Sequence, residues 1–264
     1  MPTISVNAVG QYGVMRDMQP HELPLNAWSD SRNMHFVNGY AEKILGHSQV
    51  FNTPSIAPYF LLPVEGSSTY FWVYAGLAAV YVWDGGVHTN LTRAVGGAYG
   101  ATVDGNWTGD VLGGVPVLNN GVDDPQMWLP VSPSQPLQLL SNWPANTKCN
   151  ALRAFKNYLV ALDVTKAAVR SAQMVKWSHP AAAGAVPSSW DPTDATKDAG
   201  EVMLAETADF CVDCAPMRDV NIIYKENSVY AMQFVGGTNI FRFPPLFKSV
   251  GILPVMYVDR KSVV

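Results

Sequence analysis

Hydrophobic residues in this chain occur in short runs separated by turn residues, and the helical period of 3.6 residues is hard to find. The runs are rich in Val, Ile, Tyr, Phe and Trp, and glycine, proline, asparagine or aspartate bounds them, as is typical of β-strands. The clearest runs are Tyr70–Tyr74, Ala79–Trp83, Val115–Leu118, Tyr158–Val164, Val220–Lys225, Ser228–Phe234 and Asn239–Phe243. The pattern predicts an all-β fold, a meander of short antiparallel strands.

A weak repeat underlies these strands. Each unit closes on an aromatic residue, and the closing residues Trp83, Trp128, Trp177 and Phe243 lie 45, 49 and 66 residues apart. Units of about 40 to 50 residues with four strands are typical of propeller blades. We therefore predict a β-propeller-like meander. A β-sandwich, which has similar turn spacing, is the alternative.

Two domains are expected from the distribution of strands. Residues 1–56 mix polar turns with the runs Asn33–Phe36 and Tyr40–Leu45, which predicts an extended N-terminal arm and a first strand pair. Residues 57–264 form the propeller-like domain. Because Val250–Val258 begins a further strand shortly before the last residue, we expect this propeller to be incomplete at its C-terminus.

One long segment interrupts the meander. Pro180–Asp213 is rich in proline, glycine and small polar residues, which indicates a long loop with at most a short helix near Glu201–Glu206. Long ordered loops are usually functional or part of an interface. We expect this loop to contact neighbouring subunits.

The composition is poor in charge. Charged residues make up 14% of the chain, whereas an ordinary soluble domain has about 25%, and hydrophobic residues reach 48%. A weakly charged surface favours association, so a homo-oligomer is expected. The net charge is −4, and lysine and arginine form no run of three. DNA could therefore pass along this protein but would not be gripped by clustered basic groups.

The sequence gives no sign of membrane insertion or secretion. Its most apolar stretch, Tyr70–Trp83, has 14 residues and contains Gly76, whereas a spanning helix needs about 20. The first ten residues lack the basic start of a signal peptide. Three cysteines are an odd number, which suits reduced thiols in a cytoplasm.

Cys211 and Cys214 form a CxxC motif. A zinc site would need two more ligands, for which Cys149 and His179 are available, but neither belongs to a second paired motif. A redox site would need a thioredoxin-like βαβ context, and Cys211 and Cys214 lie in strand-like surroundings. We therefore interpret them as buried structural thiols and expect neither metal nor cofactor.

Two acidic motifs partly match known kinds of site, a calcium-binding loop and a glycosidase carboxylate pair. Asp104–Asp110 resembles the start of a calcium loop, but Val115 stands where the bidentate acid belongs. Asp123 and Asp124 are adjacent, and neighbouring strand residues point to opposite faces, so they would not converge on a glycosidic bond. A turn explains each motif. The chain also lacks the sequence signatures of a serine-hydrolase elbow, a phosphate loop or a zinc-protease helix, so no catalytic residues and no enzyme activity are expected.

Three tryptophans lie outside predicted strands. Trp28, Trp143 and Trp190 occur in stretches rich in proline, serine and asparagine. Each could pack over a sheet edge of its own chain. Each could also anchor a subunit interface, where tryptophan is enriched.

Four phrases along the chain resemble tail proteins of bacteriophages, variously called tail tubular, nozzle, hub or head–tail stabilisation proteins. They occur in the same order as in that family and are Gly10–Gly46, Asn106–Trp128, Val175–Leu204 and Ile222–Phe243. The resemblance implies a β-propeller domain, a ring that is commonly six-fold at the end of the tail channel, and no catalytic residues. Family members are usually longer, which agrees with an incomplete propeller.

The resulting expectation is a structural virion protein. It would form a ring in the tail, continue the DNA channel, hold or release the genome, and contact an adaptor and fibres. A head–tail adaptor is an alternative position on the same axis. A receptor- or glycan-binding module on the virion surface is the alternative from another class, because tryptophan and tyrosine suit sugar stacking.

Overall fold

The computed structural model describes residues 5–46, 48–66, 69–103, 107–237 and 239–252. These residues form nineteen strands joined by turns and loops and contain no helix, so the all-β prediction is confirmed. A helix of the length and apolarity that a membrane span requires is accordingly not found in the described part of the chain. The chain divides into two compact units, Met1–Val50 and Phe51–Val264. The division falls slightly before the expected boundary after residue 56.

The first unit contains the predicted strand pair. β1 (Met34–Val37) and β2 (Tyr40–Lys43) form an antiparallel hairpin. Asn38 and Gly39 connect them with positive φ angles of 51° and 82°, the backbone of a tight type I′ turn. Among the described residues of this unit only Gly10 is buried, so the unit has almost no core of its own.

The second unit is built from four consecutive antiparallel sheets, three with four strands and the fourth with five. Neighbouring strands follow chain order in each sheet, apart from the last strand of the fourth sheet, which pairs with the third. The first sheet contains β3 (Phe60–Glu65), β4 (Tyr70–Ala75), β5 (Val80–Trp83) and β6 (His88–Asn90). The second contains β7 (Thr108–Leu112), β8 (Val115–Asn119), β9 (Gln126–Met127) and β10 (Gln138–Leu139). The third contains β11 (Thr147–Phe155), β12 (Tyr158–Lys166), β13 (Val169–Trp177) and β14 (Gly200–Met203). The fourth contains β15 (Cys211–Met217), β16 (Val220–Lys225), β17 (Val229–Phe234), β18 (Phe241–Arg242) and β19 (Pro245–Phe247), the last paired with β17.

Successive sheets pack face to face through three apolar cores. The strand β12 shows how: Val160 and Leu162 enter the core shared with the fourth sheet, whereas Leu159 and Ala161 enter the core shared with the second. Side chains that alternate along a strand thus cover both faces of the third sheet. A further core joins the first sheet to the second around Trp128.

The four sheets follow one another along the chain as antiparallel meanders. Within the described residues, none of the three cores joins the first sheet to the fourth. The first sheet and the fourth sheet therefore each have one face that contributes to none of the three cores. The further strand predicted for Val250–Val258 is placed mostly outside the described residues, and the described Val250 and Gly251 are not in a strand.

The predicted repeat is correct for three sheets and wrong for the fourth. Trp83 and Trp177 end the third strands β5 and β13, and Trp128 follows β9. In the fourth sheet Phe234 ends the third strand, whereas the predicted Phe243 follows β18. The short run at Asn239–Phe243 resembled a full strand in sequence, but only two of its residues pair with β17.

The helix expected near Glu201–Glu206 is also wrong. Gly200–Met203 is the strand β14, the outer strand of the third sheet. Its Glu201 carboxylate accepts hydrogen bonds from Lys176 (3.0 Å) and from Lys166. These lysines lie on β13 and β12, so long-range contacts select the strand where local sequence allowed a helix. The loop itself runs from residue 178 to 199.

We predict that Gly109→Ala destabilises the second sheet. A Cβ at Gly109 would lie 2.5 Å from the backbone oxygen of Val117 on the paired strand. Backbone cannot yield cheaply, so the free energy of unfolding should fall by about 1–3 kcal/mol, measured by urea denaturation. Gly86→Ala is the matched control, since its nearest neighbour would be 3.9 Å away. Equal destabilisation by both changes would contradict the prediction.

Candidate functional site

The outer face of the first sheet is aromatic. In β4, Val73 and Ala75 enter the core shared with the second sheet, and the alternating residues Trp72 and Tyr74 point the other way. Cross-strand pairing sets Trp72 beside Trp83 of β5. The result is a sheet with an aliphatic inner face and an aromatic outer face.

A cavity of about 600 Å³ lies over this outer face. We call it the aromatic cavity, and its lining residues are Phe51, Pro54, Pro58, Tyr59, Phe60, Leu61, Trp72, Tyr74, Trp83, His88, Trp107 and Arg153. The Phe51 ring contacts Trp72 and Trp83 edge-on, with centroids 5.4 and 4.6 Å apart. The segment 51–58 therefore covers part of the aromatic face.

Two buried ring nitrogens beside the aromatic cavity have no hydrogen-bond partner. Tyr74 Oη accepts from the Ser55 backbone N–H at 3.2 Å and lies 2.9 Å from His88 Nδ1. The other ring nitrogen of His88, Nε2, and the Trp83 indole Nε1 are both buried without a partner. Since an indole nitrogen can only donate, Trp83 Nε1–H is a buried donor without an acceptor, which is rare and calls for an explanation.

The first strands of the second and third sheets are joined by side chains. Thr108 Oγ1 accepts from the Leu152 N–H at 3.2 Å, and Asp110 Oδ2 accepts from the Ala154 N–H at 3.1 Å. In return, the Arg153 guanidinium donates to the Gly109 carbonyl at 2.9 Å. These contacts satisfy polar groups of strand edges that a sheet ladder leaves open.

Arg153 extends this network to the fourth sheet. It donates two hydrogen bonds to the Asp213 carboxylate of β15, at 2.8 and 2.6 Å. The hydrogen bonds with Asp213 raise the pKa of Arg153 above its ordinary value. The guanidinium is neutralised by its partners, so this inner edge offers no free positive charge at Arg153.

The outer face of the fourth sheet is aliphatic. We define the fourth-sheet face as Met217, Val220, Ile222, Ala231 and Leu246, which line a second cavity of about 690 Å³ together with Arg218, Asp219 and Gln233 at its rim. Met217 is 61% exposed and Leu246 is 46% exposed. Exposed apolar patches of this kind mark sites of association.

The CxxC cysteines are buried, as expected. A bulge between Cys211 and Asp213 turns both thiols to one side, into the core between the third and fourth sheets. Burial raises the pKa of Cys211 and of Cys214 to about 12. Cys149 lies in a different core, and among the described residues no three metal-ligating side chains come together. His179 Nδ1 instead accepts from the Asp198 N–H at 3.0 Å.

Of the predicted acidic motifs, Asp123 and Asp124 lie in the turn between β8 and β9, as expected, whereas Thr108–Asp110 of the calcium-like motif lie in the strand β7, so the turn interpretation is wrong there. Asp123 accepts from Asn120, from the Gly100 N–H and from Arg93. Burial opposes ionisation, but these hydrogen bonds outweigh it and lower the pKa of Asp123. Asp124 is not part of this arrangement and lies 3.9 Å from Lys148. Residues 104–106 of the calcium-like motif lie outside the described residues.

The loop tryptophans pack within their own chain. Trp143 and Trp190 form an edge-to-face pair with centroids 4.7 Å apart, and Trp190 is 2% exposed. For Trp190 the interface-anchor interpretation is therefore wrong. Trp28 donates from Nε1 to the Val9 carbonyl at 2.6 Å in the first unit.

The sequence analysis did not identify the aromatic cavity, because it used Tyr70–Tyr74 and Ala79–Trp83 only to predict strands. A signal was present in Tyr70–Tyr74, where large aromatic residues occupy both alternating sets of positions. Such a strand has an aromatic outer face as well as a buried inner one.

No protein-family model matches this chain, and a search of curated proteins finds no match to it. A role in a phage tail is therefore a proposal, which depends on the sequence resemblance and on the geometry of the chain.

A buried ion pair holds the base of the fourth sheet. Lys225 is fully buried and its Nζ lies 3.1 Å from Asp209 Oδ1. The same ammonium donates to the Leu204 and Thr207 carbonyls at 3.0 and 2.9 Å. Burial disfavours the Asp209 carboxylate, but hydrogen bonds from Thr207, the Asn227 N–H, Ser228 and Lys225 outweigh this and lower its pKa.

We predict that Arg153→Met loosens the second, third and fourth sheets from one another. Loss of the bonds to Gly109 and Asp213 should lower the free energy of unfolding by about 1–2 kcal/mol, since the pair is partly exposed. Lys248→Met, which removes an exposed pair at 3.8 Å, should change it by less than about 0.5 kcal/mol. Urea denaturation measures both, and indistinguishable values would refute the role of Arg153.

A pH dependence follows from Asp209. Because its folded pKa is below the ordinary value of 3.8, its contribution to stability is present above about pH 4 and is lost as pH falls through the folded pKa. Asp209→Asn should cost about 3–5 kcal/mol at pH 7, since it leaves Lys225 buried without its counter-ion. The difference from wild type should shrink as pH falls below about 4.

Thermal unfolding at several pH values measures this difference. Glu206→Gln is the control, because that carboxylate is 59% exposed. If the destabilisation caused by Asp209→Asn were the same at acid pH as at pH 7, the stabilising role assigned to the Asp209 carboxylate would be contradicted.

Proposed function

We propose that this protein is a non-enzymatic structural component of a phage tail, which assembles with copies of itself into a ring around the DNA channel. The observation that carries the proposal is the pair of terminal sheets. Within the chain, the faces between successive sheets are covered by a neighbouring sheet. The fourth-sheet face is apolar like those buried faces. It is less covered by the described residues than they are, since Met217 is 61% exposed.

The first unit supports assembly as well. Its described residues include exposed apolar side chains at Tyr12 (54%), Leu25 (77%) and Leu45 (87%). A segment with so little burial lacks the hydrophobic stabilisation of an independent domain. In the proposed assembly this unit is an arm that binds neighbouring subunits or another tail protein, such as an adaptor or fibre.

The charge distribution suits a wall along which DNA moves. Arg153 is paired with Asp213, and Arg93 is paired with Asp123 at 2.9 Å. Tight binding of DNA depends on unpaired basic groups that replace counter-ions. A ring of such subunits would hold the genome by enclosing it and release it without breaking many phosphate contacts.

The alternative of a glycan-binding module has less support. Sugar sites combine an aromatic platform with side chains that both donate and accept hydrogen bonds to hydroxyl groups. The lining of the aromatic cavity supplies the platform but contains no carboxylate or carboxamide side chain among its described residues.

We predict that the full chain forms ring-sized oligomers at tens of micromolar concentration and that Met217→Lys prevents this. The lysine ammonium would lose its hydration in an apolar interface, which is costly, whereas the isolated chain keeps that position exposed. Sedimentation velocity of the Met217→Lys variant should therefore show subunit-sized particles. Its melting temperature, measured separately, should be unchanged.

Val169→Lys is the matched control, because Val169 is 68% exposed but lies on the third sheet. It should leave assembly intact. A wild-type chain that stays monomeric, or a control that is equally disruptive, would count against the proposal.

A further inference from the structure

The polar groups of the aromatic cavity include an unused donor. Trp83 Nε1–H is a hydrogen-bond donor without an acceptor, and His88 Nε2 is buried without a partner. The Arg153 guanidinium also lines the cavity, but it already donates to Asp213 and to the Gly109 carbonyl. A complementary ligand therefore supplies an oxygen acceptor to Trp83 Nε1–H.

A proline-containing peptide in an extended conformation has this chemistry. Each proline offers a carbonyl oxygen and no backbone N–H, so it leaves no donor unpaired in an apolar site. Aromatic-lined grooves are the usual receptors for such segments, since the polyproline II conformation is already ordered before binding. A volume of about 600 Å³ lies within the range of ligand pockets.

The chain itself shows which kind of segment this surface accepts. Its own segment 51–58, Phe-Asn-Thr-Pro-Ser-Ile-Ala-Pro, places Phe51, Pro54 and Pro58 in the lining. Two hydrogen bonds hold the start of this segment: Asn52 Nδ2 to the Gly86 carbonyl at 3.4 Å, and the Ser55 N–H to Tyr74 Oη at 3.2 Å. The Asn52 contact is longer than an ordinary N–H···O hydrogen bond, so Phe51 is held mainly by its ring contacts with Trp72 and Trp83, which an incoming side chain can replace.

We propose that the aromatic cavity is a binding site for a proline-containing segment of another polypeptide. The incoming segment replaces Phe51 on Trp72 and Trp83, and one of its carbonyl oxygens accepts from Trp83 Nε1–H. This interaction would satisfy a donor that the chain alone leaves unpaired. The inference does not rest on the proposed ring, because one chain forms the whole site.

Decaproline is the probe, and the indole N–H resonance of Trp83 is the readout. In ¹⁵N-correlated NMR spectra of the full chain, decaproline should shift this resonance, which Trp83→Phe identifies by its loss. A (Gly-Ser)₅ peptide of equal length should not shift it. Trp83→Phe should weaken decaproline binding about five- to tenfold, the value of one hydrogen bond.

Phe51→Ala distinguishes a binding site from a packing defect. Removing the side chain that occupies the surface should tighten decaproline binding several-fold, which a purely structural Phe51 would not do. Trp143→Phe, at a tryptophan whose Nε1 already donates to the Thr147 carbonyl at 2.7 Å, should leave binding unchanged.

Two results would overturn the proposal. One is the absence of any shift at Trp83 with millimolar decaproline in both wild type and Phe51→Ala. The other is a shift produced by maltohexaose or chitohexaose but not by decaproline, which would assign the cavity to a glycan.

Discussion

The structure depends on the packing of one β-sheet face against the next. Each four-stranded meander is too small to bury its residues alone, since an isolated sheet leaves both faces in water. The strand β12 of the third sheet shows the solution, because its consecutive residues Val160 and Ala161 enter two different cores. Each sheet is thereby stabilised by its neighbours along the chain. The two proposed functional surfaces lie on the outer faces of the first and fourth sheets.

The two ends differ in chemistry. The first sheet ends in an aromatic face that the chain's own segment 51–58 partly covers, with an unpaired donor at Trp83. The fourth sheet ends in an aliphatic face around Ile222 and Met217, beside the polar residues Arg218, Asp219 and Gln233. An aliphatic face suits broad packing against another sheet, whereas the aromatic cavity suits a narrow, specific segment. The proposed assembly and the proposed peptide site therefore use different surfaces.

Much of the fold could be predicted from local signals. The Asn38–Gly39 turn adopts the positive φ angles that these residues tolerate, and Val220–Lys225 forms a strand with the predicted bounds. The failures are long-range effects. Glu201 lies in a strand whose outer position is stabilised by Lys176 and Lys166, and Phe234 ends the third strand of the last unit, where it pairs with Phe241 of β18.

The candidate site was harder to predict than the fold. A sequence shows that Trp72 and Trp83 are aromatic, but only pairing and alternation show that they share the outer face. Similarly, the spacing of Cys211 and Cys214 suggested a motif, and the bulge that turns both into one core is a feature of the pairing with β16.

A three-dimensional reconstruction of the purified assembly by electron cryo-microscopy tests the central claim most directly. The account predicts rings in which protein density from a neighbouring subunit covers Met217, Ile222 and Leu246. Isolated single chains, or rings in which that surface is in contact with solvent, would contradict it.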